Sequence, residues 1–208
     1  MLKLILKNPE DVLQKCIHFT KEYLESNPED WSKKSPITTE EITSDITKTF
    51  EKAPSINRRT TVPDELVSDL LELLCEVPST ERQQVQSRYN QQKQVEMSMG
   101  DFLEMYILKH AFQYGWIQSG NCIRGTDMIK KNDDGSWFKL QIKNSDNTPN
   151  SSSAGFIRSK KATPWARRHS TKKGTYYWDE FPDTNVSQHL SEIDFKNCIF
   201  HYYNSLSK

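Results

Sequence analysis

The strongest constraint on the fold is a turn sequence between two extended runs in the second half of the chain. The segment Asn132-Asp133-Asp134-Gly135 separates residues 122–130 from residues 136–143. Asn, Asp and Gly tolerate the backbone angles of a tight turn, so the pattern predicts a β-hairpin. Apolar residues at every second position of the second run predict one buried face.

The predicted hairpin brings three polar residues together. With the turn centred near Asp134, Asp127 lies directly opposite Gln141, where paired side chains are roughly 5 Å apart at Cβ. Lys143 is two residues further along and shares the face of Gln141. A carboxylate, a second oxygen ligand and an ammonium group suit binding of a hard divalent cation and stabilisation of a phosphate. This combination predicts phosphodiester hydrolysis.

The tripeptides Gly125-Thr126-Asp127 and Gln141-Ile142-Lys143 resemble the motif of the PD-(D/E)XK nucleases. Gln141 stands where most members have an acidic residue. The resemblance implies that Asp127, Gln141 and Lys143 are catalytic and that Asp127 and Gln141 bind Mg²⁺. Members of this superfamily often carry a glutamate on the preceding helix, which makes Glu104 a candidate for a further metal ligand. The alternative for Glu104 is an exposed helix acid, paired with Lys109 or with nothing.

The segments QIKNSDNTPNSSSAGFIR and PWARRHSTKKGTYYWDEFP resemble the SinI and AvaII group of type II restriction endonucleases. The similarity covers roughly residues 97–182 and implies cleavage of double-stranded DNA at a GGWCC-like palindrome. A palindromic site implies a homodimer, and a cognate DNA methyltransferase is expected in the same cell. The fold expected is α/β (α+β): a mixed sheet flanked by helices, with a helical N-terminal region.

Residues 151–178 carry seven basic residues and no acidic one, inside a chain whose formal net charge is zero. This local charge, placed directly after the motif strand, favours phosphate contacts over the alternative of a solvated basic loop. Short amide and hydroxyl side chains precede it and could bond to base edges or form turns. The predicted DNA-binding residues are Asn144, Ser145, Asn147, Asn150, Ser151, Ser152, Ser153, Arg158, Lys160, Lys161, Arg167, Arg168, Lys172 and Lys173. The arginines are the candidates for guanine.

Periodicity predicts further elements. Helices are expected in residues 9–26, from Thr39 to Phe50 and between Pro63 and Pro78, and a new helix is expected to start at Gly100-Asp101 and to end at Gly115. The polar residues 80–96 are either an exposed helix or a mobile connection. Residues 195–203 are predicted to form a closing strand. We expect one compact domain, with residues 1–96 as a helical region packed on a nuclease core of residues 97–208.

Composition limits the remaining possibilities. No apolar run reaches the roughly 18 residues that a membrane span requires, which predicts a cytoplasmic protein without a membrane partner. The four cysteines are scattered singly and are expected to be reduced structural thiols. Trp165, Tyr176, Tyr177 and Trp178 stack on bases or pack, and packing is favoured for Trp178 and Phe181.

Two other classes of function stay open. The first is a catalytically inactive or modification-dependent DNA-binding protein on the same fold, which the amide at Gln141 favours. The second is a helical adaptor whose hairpin is only a scaffold, and such an adaptor would show no salt-dependent DNA binding.

Overall fold

The computed structural model describes residues 6, 8–51, 74–76, 78–146 and 162–206. Its centre is a four-stranded mixed sheet made of β1 (Trp116–Gln118), β2 (Met128–Lys131), β3 (Trp137–Ser145) and β4 (Thr163–Arg168), in that spatial order. β1, β2 and β3 are antiparallel, and β4 is parallel to β3. Helices flank this sheet, so the predicted α+β class is confirmed.

The hairpin of β2 and β3 has the predicted register. Met128 pairs with Leu140 and Lys131 pairs with Trp137, so the turn is centred on Asp134. Gly135 has a φ of +82°, and the backbone N–H of Asn132 donates to Ser136 O at 2.8 Å. The predicted strand over residues 122–130 is too long, because β2 begins only at Met128 and residues 119–127 form a loop.

Helices α1 (Pro9–Ser26) and α2 (Thr39–Glu51) agree with their predictions. The hydroxyl of Thr38 accepts a hydrogen bond from the backbone N–H of Glu41 at 3.1 Å and caps α2. α1 lies against the sheet face of Trp137 and Lys139: the Tyr23 ring meets Trp137 edge to face at 5.5 Å. Directly after α1, Asp30 forms a 2.8 Å ion pair with Lys139.

Helix α3 (Arg82–Ala111) differs from its prediction. Of the two alternatives predicted for residues 80–96, the structure has an exposed helix and not a connection, but no new helix begins at Gly100, because one continuous helix runs through both segments. Its first half is rich in Gln, which is a good helix former, and one interior glycine costs only about 1 kcal/mol. Gly115, with a φ of +84°, follows the helix end as predicted.

The predicted closing strand over residues 195–203 is wrong, because these residues lie in α5 (Glu192–Leu206), which follows the short helix α4 (Thr184–Ser187). Ser191 Oγ accepts a hydrogen bond from Asp194 N at 3.1 Å and caps α5. Phe195 and Tyr202 are buried one heptad apart, whereas Phe200 is exposed. The apolar and aromatic content favoured a strand, but the burial follows a helical period.

The second face of the sheet packs on an aromatic cluster. Trp116 meets Phe181 at 5.8 Å between ring centroids, and Trp165 meets Trp178 at 5.6 Å. Tyr106 of α3 contacts both Trp178 and a ring of α5. The prediction that Trp178 and Phe181 pack in the core is confirmed, and Trp165 joins them.

Met1–Ala53 and Phe102–Lys208 together form one compact unit, and Pro54–Asp101 forms another. The predicted boundary at residue 96 remains a prediction, and the helix expected between Pro63 and Pro78 lies largely outside the described residues. All four cysteines are free thiols, with Cys16 and Cys122 buried. Among the helices that the structure describes, none combines the length and the apolar character needed to cross a membrane.

Candidate active site

Asp127 is held at the end of the hairpin by two hydrogen bonds to β3. Its backbone N–H donates to Leu140 O at 2.9 Å, and its Oδ2 accepts from the backbone N–H of Ile142 at 2.7 Å. The paired residues of β2 and β3 end at Met128 and Leu140, so Asp127 lies just outside the ladder and bonds to the residues on either side of Gln141. The direct pairing of Asp127 with Gln141 stays a prediction, and the two hydrogen bonds place Asp127 next to Gln141.

Gln141 and Lys143 lie on the same face of β3, which we call the site face. Gln141 Oε1 is buried and has no hydrogen-bond partner among the described residues. A buried acceptor without a donor is costly, and a ligand with positive charge would satisfy it. Lys143 is buried, with 8% of its surface exposed, and pairs in register with Ala166 of β4.

The electrostatics of the site follow from its burial. Burial raises the pKa of Asp127 from 3.8 to about 6, although the Ile142 N–H and the charge of Lys143 both act to lower it. Burial lowers the pKa of Lys143, and the charge of Asp127 acts against this. The positive charge and hydrogen bond that the protein supplies near Asp127 therefore do not offset the effect of burial, and the Asp127 carboxyl ionises less readily than it would in water. A bound cation would correct this deficit.

The oxygen atoms present fit a hard divalent cation. Asp127 offers carboxylate oxygens, of which only Oδ2 takes part in the described hydrogen bonds, and Gln141 offers an amide oxygen to which no described residue donates. Oxygen ligands of this kind are those that Mg²⁺ prefers. Within the described ranges no group of three or more Asp, Glu, His or Cys side chains is arranged to hold a metal. The candidate site thus has one charged ligand and one neutral ligand on the hairpin.

Glu104 lies on α3 near the same end of the sheet. Its Oε2 accepts a hydrogen bond from Gln118 Nε2 at 3.1 Å. Gln118 pairs with Met128, and the next residue, Ser119, donates its backbone N–H to Asp127 O at 3.0 Å. Glu104 is therefore anchored to the strand end that borders Asp127, through a partner that the sequence analysis did not consider.

The loop before Asp127 is fixed by a residue that the sequence did not reveal. Asp45 of α2 accepts a hydrogen bond from Asn121 N at 2.8 Å and pairs with Lys33 at 3.0 Å. Gly120, with a φ of +57°, lies so close that an added Cβ would be 3.0 Å from Asp45 Oδ2. A larger residue here would crowd the Asp45 carboxylate and strain the backbone, but nothing in the spacing of the sequence links positions 45 and 120.

Comparison with known proteins decides the family. The family model described as SinI restriction endonuclease matches residues 10–205. The chain belongs to the SinI restriction endonuclease family. The type II restriction enzyme Eco47I of Escherichia coli is 35% identical over 147 residues, which are 69% of this chain and 63% of Eco47I.

The type II restriction enzyme SinI of Salmonella infantis is 34% identical over 145 residues, with the same shares of 69% and 63%. The match therefore spans just under two thirds of the length of these two curated relatives. The resemblance found in the second half of the chain is confirmed, and the family match extends it into the N-terminal half.

In this member of the SinI family, three of the predicted DNA-binding residues are engaged inside the protein. Arg167 is 6% exposed, and its Nη1 lies 2.7 Å from both carboxylate oxygens of Glu192. Its Nε donates to Asn144 Oδ1 at 2.9 Å. Ser145 is buried and donates to Asp146 Oδ1. These contacts favour a structural role for Arg167, Asn144 and Ser145 over a contact to bases.

The other described basic residues of this region face solvent. Arg168, Lys172 and Lys173 are exposed, and Arg168 pairs in register with Ser145 on the site face, two positions beyond Lys143. They are well placed for phosphate contacts. The remaining predicted DNA-binding residues lie outside the described residues: Asn147, Asn150, Ser151, Ser152, Ser153, Arg158, Lys160 and Lys161.

Proposed function

We propose that this chain is a type II restriction endonuclease that hydrolyses phosphodiester bonds of double-stranded DNA with Mg²⁺ as cofactor. One observation carries the proposal: Asp127, Lys143 and the amide oxygen of Gln141, which has no hydrogen-bond partner within the described part of the chain, share the end of one hairpin in a chain of the SinI family. An acid, an amide and an amine in this arrangement suit phosphate chemistry better than they suit packing.

The proposed roles follow from the charges. Asp127 and Gln141 hold the ion, and the chemistry that bound Mg²⁺ supplies is polarisation of a phosphoryl oxygen and acidification of water. Lys143 orients the attacking water or stabilises the negative charge that develops on the phosphate. The water oxygen bonds to phosphorus in line with the breaking P–O3′ bond. The proton that this water loses passes to solvent, and the leaving 3′ oxygen takes up a proton from solvent. Glu104 is proposed as a ligand of a second ion.

Cleavage of plasmid DNA in the presence of Mg²⁺ tests the proposal. The wild type is expected to cut, and Asp127→Ala and Lys143→Ala are each expected to lose at least about 100-fold in rate, as when a preorganised charge is removed from other active sites. Asp133→Ala is the matched control, because Asp133 is an exposed acid in the turn of the same hairpin. A wild-type protein that never cuts with any divalent metal contradicts the proposal.

The recognition site, the oligomeric state and the accompanying methyltransferase are inferred from the family to which the chain belongs. A GGWCC-like recognition site, a homodimer in which each subunit cuts one strand, and a cognate methyltransferase in the same cytoplasm are proposed for this chain. The fragment pattern from a sequenced plasmid gives the recognition site directly. Sedimentation of the protein with a duplex carrying one site tests the expected stoichiometry of two chains per duplex.

A second candidate function is DNA binding without cleavage, or with cleavage only of modified DNA. The observation that favours it is the amide of Gln141 in place of an acid, since an amide adds no negative charge to the metal site. Incubation with methylated and unmethylated plasmid separates the candidates. Salt-dependent binding without cleavage of either plasmid identifies the inactive binding protein.

A further inference from the structure

The strand that carries the candidate active site ends in an acidic residue beside basic residues. Asp146 follows β3 directly and adjoins residues 168–176, which we call the basic turn. The exposed cations of the basic turn are Arg168, Lys172 and Lys173. By charge alone, a carboxylate at this place weakens phosphate binding, because like charges repel the DNA backbone. We therefore expect a structural role of Asp146 that outweighs this repulsion.

Asp146 makes several contacts with the start of the basic turn. Its backbone N–H donates to Arg168 O at 3.3 Å, and its Oδ1 accepts from the backbone N–H of Ser170 at 2.7 Å. Its Oδ2 lies 3.3 Å from His169 Nδ1. The hydrogen bond from Ser170 holds the pKa of Asp146 below its usual value, so the carboxylate is ionised at neutral pH.

The rest of the basic turn depends on the same conformation. Arg168 and Tyr176 form an isolated antiparallel bridge that closes the turn. The backbone N–H of Lys172 donates to His169 O at 3.3 Å, and Lys172 Nζ lies 5.5 Å from the centre of the Tyr177 ring. The His169 ring packs against Tyr177 with 4.5 Å between centroids. Asp146 therefore contacts the start of the turn that carries Lys172 and Lys173.

The basic turn is also tied to the candidate active site through the sheet. Lys143 pairs with Ala166 and Ser145 pairs with Arg168, so Arg168 lies two positions from Lys143 on the site face. Two positions along a strand correspond to about 7 Å. A DNA strand that presents one phosphate to Lys143 would thus pass close to Arg168 and the turn that follows it.

We propose that Asp146 is a positioning residue for DNA binding, which holds the basic turn so that Lys172 and Lys173 contact phosphates next to the one that is cut. The inference rests on the proposed function, since it assumes that DNA lies across the site face. It predicts that removing the negative charge of Asp146 weakens DNA binding, although the loss of a negative charge by itself would strengthen it.

Binding of a mixed-sequence DNA duplex, measured by fluorescence anisotropy without divalent metal at several salt concentrations, tests the inference. We expect Asp146→Ala to bind about fivefold to tenfold more weakly than wild type. The salt slope, which is the slope of the logarithm of the binding constant against the logarithm of the salt concentration, should be smaller in magnitude by about 1 to 2, because one or two phosphate contacts are lost. Asp146→Asn keeps an acceptor for the Ser170 N–H and is expected to bind like wild type or more tightly.

Asp133→Ala removes the same charge from another exposed turn and is expected to leave the slope unchanged. The inference is overturned if Asp146→Ala binds as tightly as Asp133→Ala, or if Asp146→Asn is as weak as Asp146→Ala. If Asp146→Ala does not fold, Ser170→Pro removes the donor N–H, keeps the acid and must show the same loss. A wild-type protein that neither binds nor cuts DNA contradicts the proposed function instead.

Discussion

Two adjacent arginines are predicted to behave in opposite ways when each is replaced by alanine. The sequence places Arg167 and Arg168 in one basic run, but the structure buries the first and exposes the second. Arg167 bonds to Glu192 and Asn144 and lies 5.1 Å from the centre of the Tyr176 ring. We expect Arg167→Ala to destabilise the fold and Arg168→Ala to weaken DNA binding.

The loss in free energy of unfolding expected for Arg167→Ala follows from the partners of Arg167. Breaking a buried ion pair by removing one partner costs about 3 to 5 kcal/mol, because the other charge stays buried. The Glu192 side chain is 31% exposed, so water replaces part of the lost interaction. We therefore expect a loss of about 2 to 3 kcal/mol, which corresponds to a fall in melting temperature of roughly 4 to 12 °C for a chain of this size.

Urea unfolding followed by fluorescence measures the stability, and duplex binding at several salt concentrations measures the contact to DNA. For Arg168→Ala we expect a change in unfolding free energy within about 0.5 kcal/mol and a salt slope smaller by about 1. The reasoning is refuted if Arg167→Ala unfolds at the wild-type urea concentration and loses DNA binding. That result would indicate that Arg167 contacts a base or a phosphate of the DNA, as the sequence predicts.

Two further predictions concern the metal site and the acid stability. Gln141→Glu adds a negative charge to the candidate metal site and should lower the Mg²⁺ concentration needed for thermal stabilisation by about tenfold; an unchanged concentration would exclude Gln141 as a ligand. Burial alone would raise the pKa of Asp183, but hydrogen bonds from Lys130 and Trp116 lower it. A lowered folded-state pKa contributes its full stability above the unfolded pKa of about 3.9, and this stability is lost as pH falls through the lower pKa of the folded state. Wild type and Asp183→Asn should therefore differ in urea midpoint at pH 7 and converge only well below about pH 4.

The hairpin and its register could be predicted because the signal is local. The segment Asn132-Asp133-Asp134-Gly135 fixes the centre of the turn, and the two-residue period of the strands then determines which residues are opposed. The pairing of Met128 with Leu140, and the shared face of Gln141 and Lys143, follow from these two facts alone. The roles of these residues stay predictions until the cleavage experiments are done.

Other features could not be predicted because they depend on tertiary contacts. Residues 195–203 have a composition typical of a strand, yet the contacts of Phe195 with Tyr106 and Trp178 select a helix. The burial of Arg167 depends on Glu192, which is 25 residues away in sequence. The role of Asp45 in fixing the loop before Asp127 depends on a contact across 76 residues. Composition and periodicity carry no information about such pairs.

The most direct test of the central claim is a crystal structure of the protein with a DNA duplex and Mn²⁺, which prefers the same oxygen ligands as Mg²⁺ and is visible by anomalous scattering. The account predicts an anomalous peak between the Asp127 carboxylate and the Gln141 amide oxygen, with a DNA phosphate within reach of Lys143. A metal bound elsewhere, or Asp127 and Gln141 side chains pointing away from each other beside the DNA, would contradict it.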